Sequence, residues 1–437
     1  NVDEIRNHPF CASVSDAVMK ETEEAIQMTH AIEGKSVKSK PGHPRFGTEF
    51  LPDGQLRFNL WAPSASSIEL CLYDKNVEKK FQMLPATNGW FKLETKLASV
   101  GHKYCFVIDG DLKVPDPASR YQPDDVHGPS LIVNPEIYKL RKQWRGRPWE
   151  EVVLYELHVG TFTEEGTFAG VIEKLDYLRE LGITAIELLP IVDFPGKYNW
   201  GYDGVLLYAP DSSYGTPADL IRLINEAHDR DLMVFIDLVY NHFGPDGNYL
   251  HCYAEKFFNG KHHTPWGAAI NFDGPDNEVV RRFYVENALY WLEEFGFDGI
   301  RFDAVHAIAD SSQDHILHDI AKAVKTGPGR ERHIHLVLEN DDNSSRYLVR
   351  NADRKKPLYS AQWNDDFHHA AHVIVTGENV GYYSDFSTEG SGRSPVKHLA
   401  RCLSEGFAYQ GEESNYRDGA VRGELSKNLP PTAFVSF

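Results

Sequence analysis

From Phe46 onward apolar and polar residues alternate with a period of two. Leu56, Phe58 and Leu60 are separated by Arg57 and Asn59, Ile68, Leu70 and Leu72 by Glu69 and Cys71, and Tyr104, Phe106 and Ile108 by Cys105 and Val107. Alternation of this kind points one face of a strand inward and the other outward. Asp53-Gly54, Asn88-Gly89 and Asp109-Gly110 fall between the runs, where tight turns are needed. Residues 45–135 are therefore expected to form a small β-sandwich. Residues 1–44 carry no such pattern, and Gly34 to Pro44 is rich in Lys, Ser, Gly and Pro. A flexible extension or tether is expected there.

After Trp149 the pattern changes to short apolar runs separated by amphipathic stretches. Val152–Tyr155 leads to Val171, Ile172, Leu175, Leu178 and Leu181 at helical spacing, closed by Gly182. Ala185–Leu189 is the next strand. Thr216, Pro217 and Asp219 then read as N-cap, first-turn proline and dipole-facing acid of a helix that leads to Met233–Asp237. The alternation continues through Gly299–Asp303, His335–Glu339, Leu358–Trp363 and Ala433–Phe437. Seven β-units with long insertions point to a (β/α)8 barrel over residues 136–437 rather than a doubly wound sheet. No Gly-x-Gly-x-x-Gly follows any strand and no P-loop is present. With seven units and no eighth, the expectation is a barrel truncated at its C-terminus.

Composition narrows the ligand. A formal net charge of −19 over 437 residues opposes nucleic acid and anionic membranes as partners, so a neutral substrate fits best. No apolar stretch is long enough to span a bilayer, and the N-terminus lacks the basic-then-apolar run of a signal peptide. The first residue is Asn, which leads to the expectation that the chain begins inside a longer product. Five scattered cysteines without a Cys-x-x-Cys pair fit reduced, mostly buried thiols in the cytoplasm, with a Cys71–Cys105 bridge left open. Eight Trp suit stacking on sugars, but equally suit a large interior, and the interior is the commoner use.

Candidate chemistry lies at the strand tips. Asp237 ends the third barrel run and is followed by Asn241-His242; Asp303 ends the fourth, two residues after Arg301; Glu339 ends the fifth. An ionised acid at the tip of a buried strand carries a desolvation cost that packing alone does not explain. Two such acids facing one pocket suffice to break a glycosidic bond. Arg301, two residues from Asp303 on the same face, is expected to keep that acid charged, while Glu339, without such a neighbour, is expected to hold its proton.

These segments, in this order, resemble the first three signature regions of the α-amylase superfamily, glycoside hydrolases built on a (β/α)8 barrel. The resemblance implies Asp303 as nucleophile, Glu339 as general acid/base, Tyr202 stacked on the sugar at the cleavage point, and Asp203, His242, Arg301 and His306 around the same sugar. Longer strings, among them Trp200-Gly-Tyr-Asp-Gly204, Thr264-Pro-Trp-Gly267, Asp303-Ala-Val-His306 and Trp363-Asn-Asp-Asp-Phe367, resemble the trehalohydrolase branch of that superfamily. Its members carry an immunoglobulin-like N-terminal domain before the barrel. That branch implies hydrolysis of the α-1,4 bond beside the terminal trehalose of malto-oligosyltrehalose, or action on a related α-glucan, with no cofactor. Asp273, Asp365 and Asp366 are candidates for selecting the trehalose end, as acceptors in an open subsite.

The family's fourth region, Asn-His-Asp, is expected within a few residues after Phe437, and without that third acid the chain is expected to be inactive or nearly so. No metal is expected: His262-His263 and His368-His369 lack the i, i+4 spacing of a zinc site, and Asn241 alone does not make a calcium site. The alternatives are a glucan branching or debranching enzyme, and a barrel without chemistry that binds carbohydrate; Asp303-Ala-Val-His306 favours the hydrolase over the first, and the presence of both acids weighs against the second for the parent protein, whereas for the truncated chain itself the second is the expected reading.

Overall fold

The computed structural model describes residues 44–74, 77–140, 143–349 and 357–436. The expected extension over residues 1–44, with Cys11, lies outside them apart from Pro44. The first described part is two antiparallel sheets face to face. One has four strands and contains Leu56–Trp61 paired with Trp90–Thr95; the other has five and contains Ile68–Asp74 paired with Lys103–Ile108. Leu56, Phe58, Leu60, Ile68, Leu70, Tyr104 and Phe106 fill the space between them, as the period-two pattern predicts. Several positions expected to face solvent are buried as well. Asn59 and Trp61 lie on the face turned to the barrel, where Trp61 meets Phe257 edge-on at 5.5 Å. Cys71 and Cys105 are directly opposite one another in register, both free thiols packed with Val107 and Tyr73.

Sandwich and barrel share one apolar core. Phe46 meets Phe283 at 5.0 Å, and the Arg120 guanidinium lies over the rings of Tyr208 and Tyr290 at 4.6 and 4.5 Å. Arg120 thereby combines a buried charge with two aromatic faces, a contact worth up to about 2 kcal/mol when desolvated.

Seven parallel strands follow in chain order within one sheet: β1 (Leu154–Leu157), β2 (Ala185–Leu188), β3 (Met233–Leu238), β4 (Gly299–Phe302), β5 (His335–Glu339), β6 (Ala361–Trp363) and β7 (Phe434–Val435). Helix α1 (Phe168–Glu180) connects β1 to β2 and ends at Gly182, whose φ of +93° is a left-handed conformation that favours glycine. Helix α2 (Pro217–His228) opens with a reciprocal capping box between Thr216 and Asp219, as the sequence predicts. Its inner face buries Leu220, Leu223, Ile224 and Ala227 completely. Each of the three larger side chains contributes about 1.5–3 kcal/mol. No helix among the described residues is long and apolar enough to cross a membrane.

The sheet is curled. Side chains from both of its ends, Leu154 on β1 and Val435 on β7, pack on one inner cluster of Ala185, Met233, Phe235 and Val337. Trp149, just before β1, donates its indole N–H to the Thr432 carbonyl before β7 at 2.6 Å. Gly299 makes room for this interior, since a Cβ there would lie 2.8 Å from the Phe235 ring. At the N-terminal end of β4, the fully buried carboxylate of Asp298 accepts from Trp144, His228, Arg332 and the Val234 backbone N–H at 2.7–3.0 Å. Burial alone would raise the pKa of Asp298, but His228, Arg332 and the Trp144 hydrogen bond hold it below the usual carboxylate value.

Candidate active site

The inward positions of the strands are apolar at the N-terminal end and charged at the C-terminal end. Register fixes which charges meet. Asp237 on β3 stands beside Arg301 on β4, which stands beside Val337 on β5. Asp303 and Glu339 follow two residues later on their strands, on the same face. The Arg301 guanidinium therefore sits beside Asp237 and beneath Asp303 and Glu339. Its Nη1 donates to Asp237 Oδ2 at 2.6 Å and to Asp303 Oδ1 at 3.0 Å, and its Nη2 lies 2.8 Å from Glu339 Oε2. One cation thus brings Asp303 and Glu339 together at the mouth of the barrel.

This corrects one expectation. Glu339 does not lack a cationic neighbour, because the planar fork of arginine reaches past its own strand to the next. Burial nevertheless raises the pKa of Glu339, and the negative charge of Asp303 adds to this, against the pull of Arg301 and of the Ala304 N–H that donates to Oε2 at 2.9 Å. That N–H is aimed by Ala304 itself, whose φ of +40° is left-handed and strained for a residue with a side chain. Asp303 receives the Asn241 side-chain amide at both its backbone oxygen, at 3.0 Å, and Oδ2, at 2.9 Å. Asp237, completely buried, is pushed up to about 7 by burial despite Arg301.

The loop after β2 brings Tyr202 over this group, where its hydroxyl donates to Asp237 Oδ2 at 3.1 Å. Tyr198 and Trp200 in the same loop are exposed. His242 is stacked flat on the half-exposed Trp266, with centroids 4.6 Å apart, and burial depresses its pKa so that the neutral ring is favoured. His306 lies at the surface next to the strained turn, accepting the Asp341 N–H at Nδ1. Among the described residues no three His, Cys, Asp or Glu side chains converge to hold a metal ion.

Residues 140–264 match the α-amylase catalytic domain, and residues 45–119 match carbohydrate-binding module 48, the isoamylase N-terminal domain. The chain is 44% identical over 392 residues to malto-oligosyltrehalose trehalohydrolase of Saccharolobus solfataricus, covering 90% of this chain and 66% of that protein. It is 40% identical over 371 residues to the Rhizobium sp. protein of the same name, covering 83% and 60%. The chain belongs to the α-amylase family. It superposes with a TM-score of 0.84, at 46% identity, on a Salmonella typhimurium crystal structure provisionally described as an alpha amylase, covering 90% of this chain and 65% of that one. The chain thus spans 60–66% of the length of the two curated relatives.

Not every expected residue of this α-amylase family chain reaches the mouth. Asp203 is exposed on the rim and accepts from Asn199 at 2.8 Å. Asp273 is no open acceptor: Asn259, His262 and both donors of Ser311 occupy its carboxylate, and those from Ser311 and Asn259 outweigh burial and pull it down to about 2. Asp366 is likewise taken up. It accepts from Asn343, Ala408 N–H and Tyr409 N–H at 2.8–2.9 Å and pairs with Arg422 at 2.7 Å, fully buried. Both are braces between loops, because a carboxylate whose lone pairs are filled has none left for a sugar hydroxyl. Asp365, its neighbour, is only half-buried and faces Glu339 and Asp341, whose charges add to burial in raising its pKa.

Residue roles read from the sequence omitted Asp237, Asn241, Trp266 and Glu187. Asp237 carried a visible signal, since it ends an apolar run as Asp303 does. Glu187 carried another, as the one acid inside the four-residue strand Ala185–Leu188.

Proposed function

We propose that this α-amylase family protein hydrolyses the α-1,4 bond next to the terminal trehalose of malto-oligosyltrehalose, releasing trehalose with retention of configuration. The observation that carries the reading is the Arg301 fork, which holds Asp303 and Glu339 within reach of one sugar. The similarity to proteins named malto-oligosyltrehalose trehalohydrolase supports the choice of substrate.

In this reading Asp303 attacks the anomeric carbon while Glu339 gives its proton to the departing glycosidic oxygen. The products of this step are a glycosyl ester on Asp303 and a free hydroxyl on the leaving sugar. Glu339, now a carboxylate, takes a proton from water, and the hydroxide oxygen displaces Asp303 from the same carbon. Arg301 and the Asn241 amide fix the Asp303 carboxyl in place for attack, and the raised pKa of Glu339 favours the protonated acid needed at the start. Tyr202, its hydroxyl tied to Asp237, offers a fixed ring to the sugar face, and Trp266, Trp200 and Tyr198 offer further apolar faces. His242, His306 and Asp203 are assigned to hydroxyls of the same sugar, and Asp365 to the leaving side. Residues 45–135 serve as a carbohydrate-binding module and 136–437 as the barrel, in a cytoplasmic setting that suits the free thiols.

Incubation of the intact protein with maltotriosyltrehalose, and separately with amylose, tests this. Free trehalose from the first is the expected result. A change in iodine staining of amylose without any trehalose release overturns it in favour of branching or debranching.

A further inference from the structure

One carboxyl beneath the mouth has no part in the scheme above. Glu187 lies between Ile186 and Leu188 on β2, completely buried, and neither of its side-chain oxygens meets a donor among the described residues. Register puts it beside Glu156 on β1 and Phe235 on β3, one layer below the level at which Asp237 and Arg301 pair. Arg301 has a matching gap. Its Nη1 and Nη2 are committed to Asp237, Asp303 and Glu339, while its buried Nε meets no acceptor among the described residues.

The charged groups facing Glu187 are Arg301 on β4, Asp237 on β3, Glu156 on β1 and Glu339 on β5. A second full charge in this space would be an anion without a donor, next to acids that already share a single cation. Burial holds the carboxyl of Glu187 well above the usual range; Arg301 opposes this, and Asp237, Glu156 and Glu339 reinforce it. These surroundings favour the uncharged form of Glu187.

We propose that Glu187 is a positioning residue for the hydrolysis put forward above: neutral, it leaves the Arg301 fork to Asp303 and Glu339, and on losing its proton it draws the guanidinium down toward its own side of the barrel. The geometry supplies both halves of this competition, an acid without a donor and a guanidinium N–H without an acceptor, facing the same interior. An ionised Glu187 would weaken the support of Asp303 and remove part of the restraint on Glu339. Activity would then fall on the alkaline side for a reason separate from the titration of Glu339 itself. The role rests on the reading of Asp303 and Glu339 as the reacting pair.

The test is Glu187→Gln in the intact protein, since glutamine copies the neutral acid in size and cannot ionise. Infrared spectra at neutral pH are expected to show a protonated-carboxyl C=O stretch in the wild type that is missing from Glu187→Gln. In parallel, kcat/KM for maltotriosyltrehalose is expected to stay within about threefold of wild type at neutral pH, with the alkaline limb moved up by about one pH unit. Glu187→Asp, which keeps the acid on a shorter stem, is expected to retain an alkaline limb like that of the wild type. The infrared arm reports on Glu187 whether or not the protein turns over. Because Asp237, Glu339 and Asp365 also have raised values and contribute to both spectra, the reading is the difference between them, and a wild type minus Glu187→Gln difference without a protonated-carboxyl band overturns the neutral acid. Loss of the band with an unmoved alkaline limb overturns the positioning role. A wild type that releases no trehalose overturns the parent reading, and the role with it.

Discussion

The Nη2 of Arg301 lies 2.8 Å from Oε2 of Glu339, although the two residues stand on neighbouring strands and Arg301 also holds Asp303 on its own. A single guanidinium therefore orients both acids of the proposed reaction. Arg301→Lys replaces a planar fork by a point charge that cannot span three carboxylates. We expect kcat to fall by about 10²-fold or more, by analogy with removal of one fixed transition-state donor. Steady-state kinetics with maltotriosyltrehalose check this, and a near-wild-type kcat would show that the fork is dispensable.

Glu339→Gln removes the proposed proton donor and keeps the shape. Turnover should drop by at least about 10²–10⁴-fold, while calorimetric titration still registers binding of the oligosaccharide. Undiminished turnover would take Glu339 out of its assigned role.

The raised pKa of Glu339, caused first by burial and then by Asp303, has a definite sign. In the proposed reaction the acid works in its protonated form, so kcat/KM should decline as pH rises through that value, which lies above the ordinary glutamate value of about 4.3. A pH–rate profile whose alkaline limb fell at or below the ordinary value would contradict the environment described for this residue.

Asp365 and Asp366 are adjacent and should behave as opposites. Asp366→Ala removes one of the two carboxylates paired with the buried Arg422, the other being Asp341, and leaves the Asn343 amide and the Ala408 and Tyr409 N–H groups without their buried acceptor, so a loss of about 3–5 kcal/mol in unfolding free energy is expected. Asp365→Ala should instead raise KM with little change in thermal midpoint. Denaturation curves and kinetics on the same two variants separate the effects; equal stability losses would remove Asp365 from the substrate side.

That pair also marks how far the sequence could be read. The tips at Asp237, Asp303 and Glu339 were legible because an acid closing an apolar run stands out, and the Thr216–Asp219 cap because its spacing is local. Which of two neighbouring aspartates faces the cleft depends on the rotation of the helix Asp365–Thr376 at its first turn, which no spacing reports. Asp273 was misread for a related reason: its donors come from Asn259, His262 and Ser311, up to 38 residues distant. The reach of Arg301 to Glu339 depended on parallel register between β4 and β5, which is a property of the folded sheet. Glu187 was visible as an acid in an apolar run, but its meaning lay in the unpaired Nε of Arg301.

At the other end of β4, Asp298 is held below the usual carboxylate value by His228, Arg332 and Trp144 against burial. A depressed value means that the folded form gains from the charge above the unfolded value of about 3.9 and loses that gain as pH falls through the folded value. Acid titration of unfolding free energy should therefore lose a contribution below about pH 4 that is missing from Asp298→Asn. Identical acid profiles for the two proteins would count against it.

Asp298 and Asp303 thus divide one strand between two tasks, anchorage at its foot and, in the proposed reaction, attack on the sugar at its tip. Selection for a new sugar or a new bond can rework the rim loops while the anchorage stays untouched, and a protein whose chemistry has drifted can keep its melting temperature.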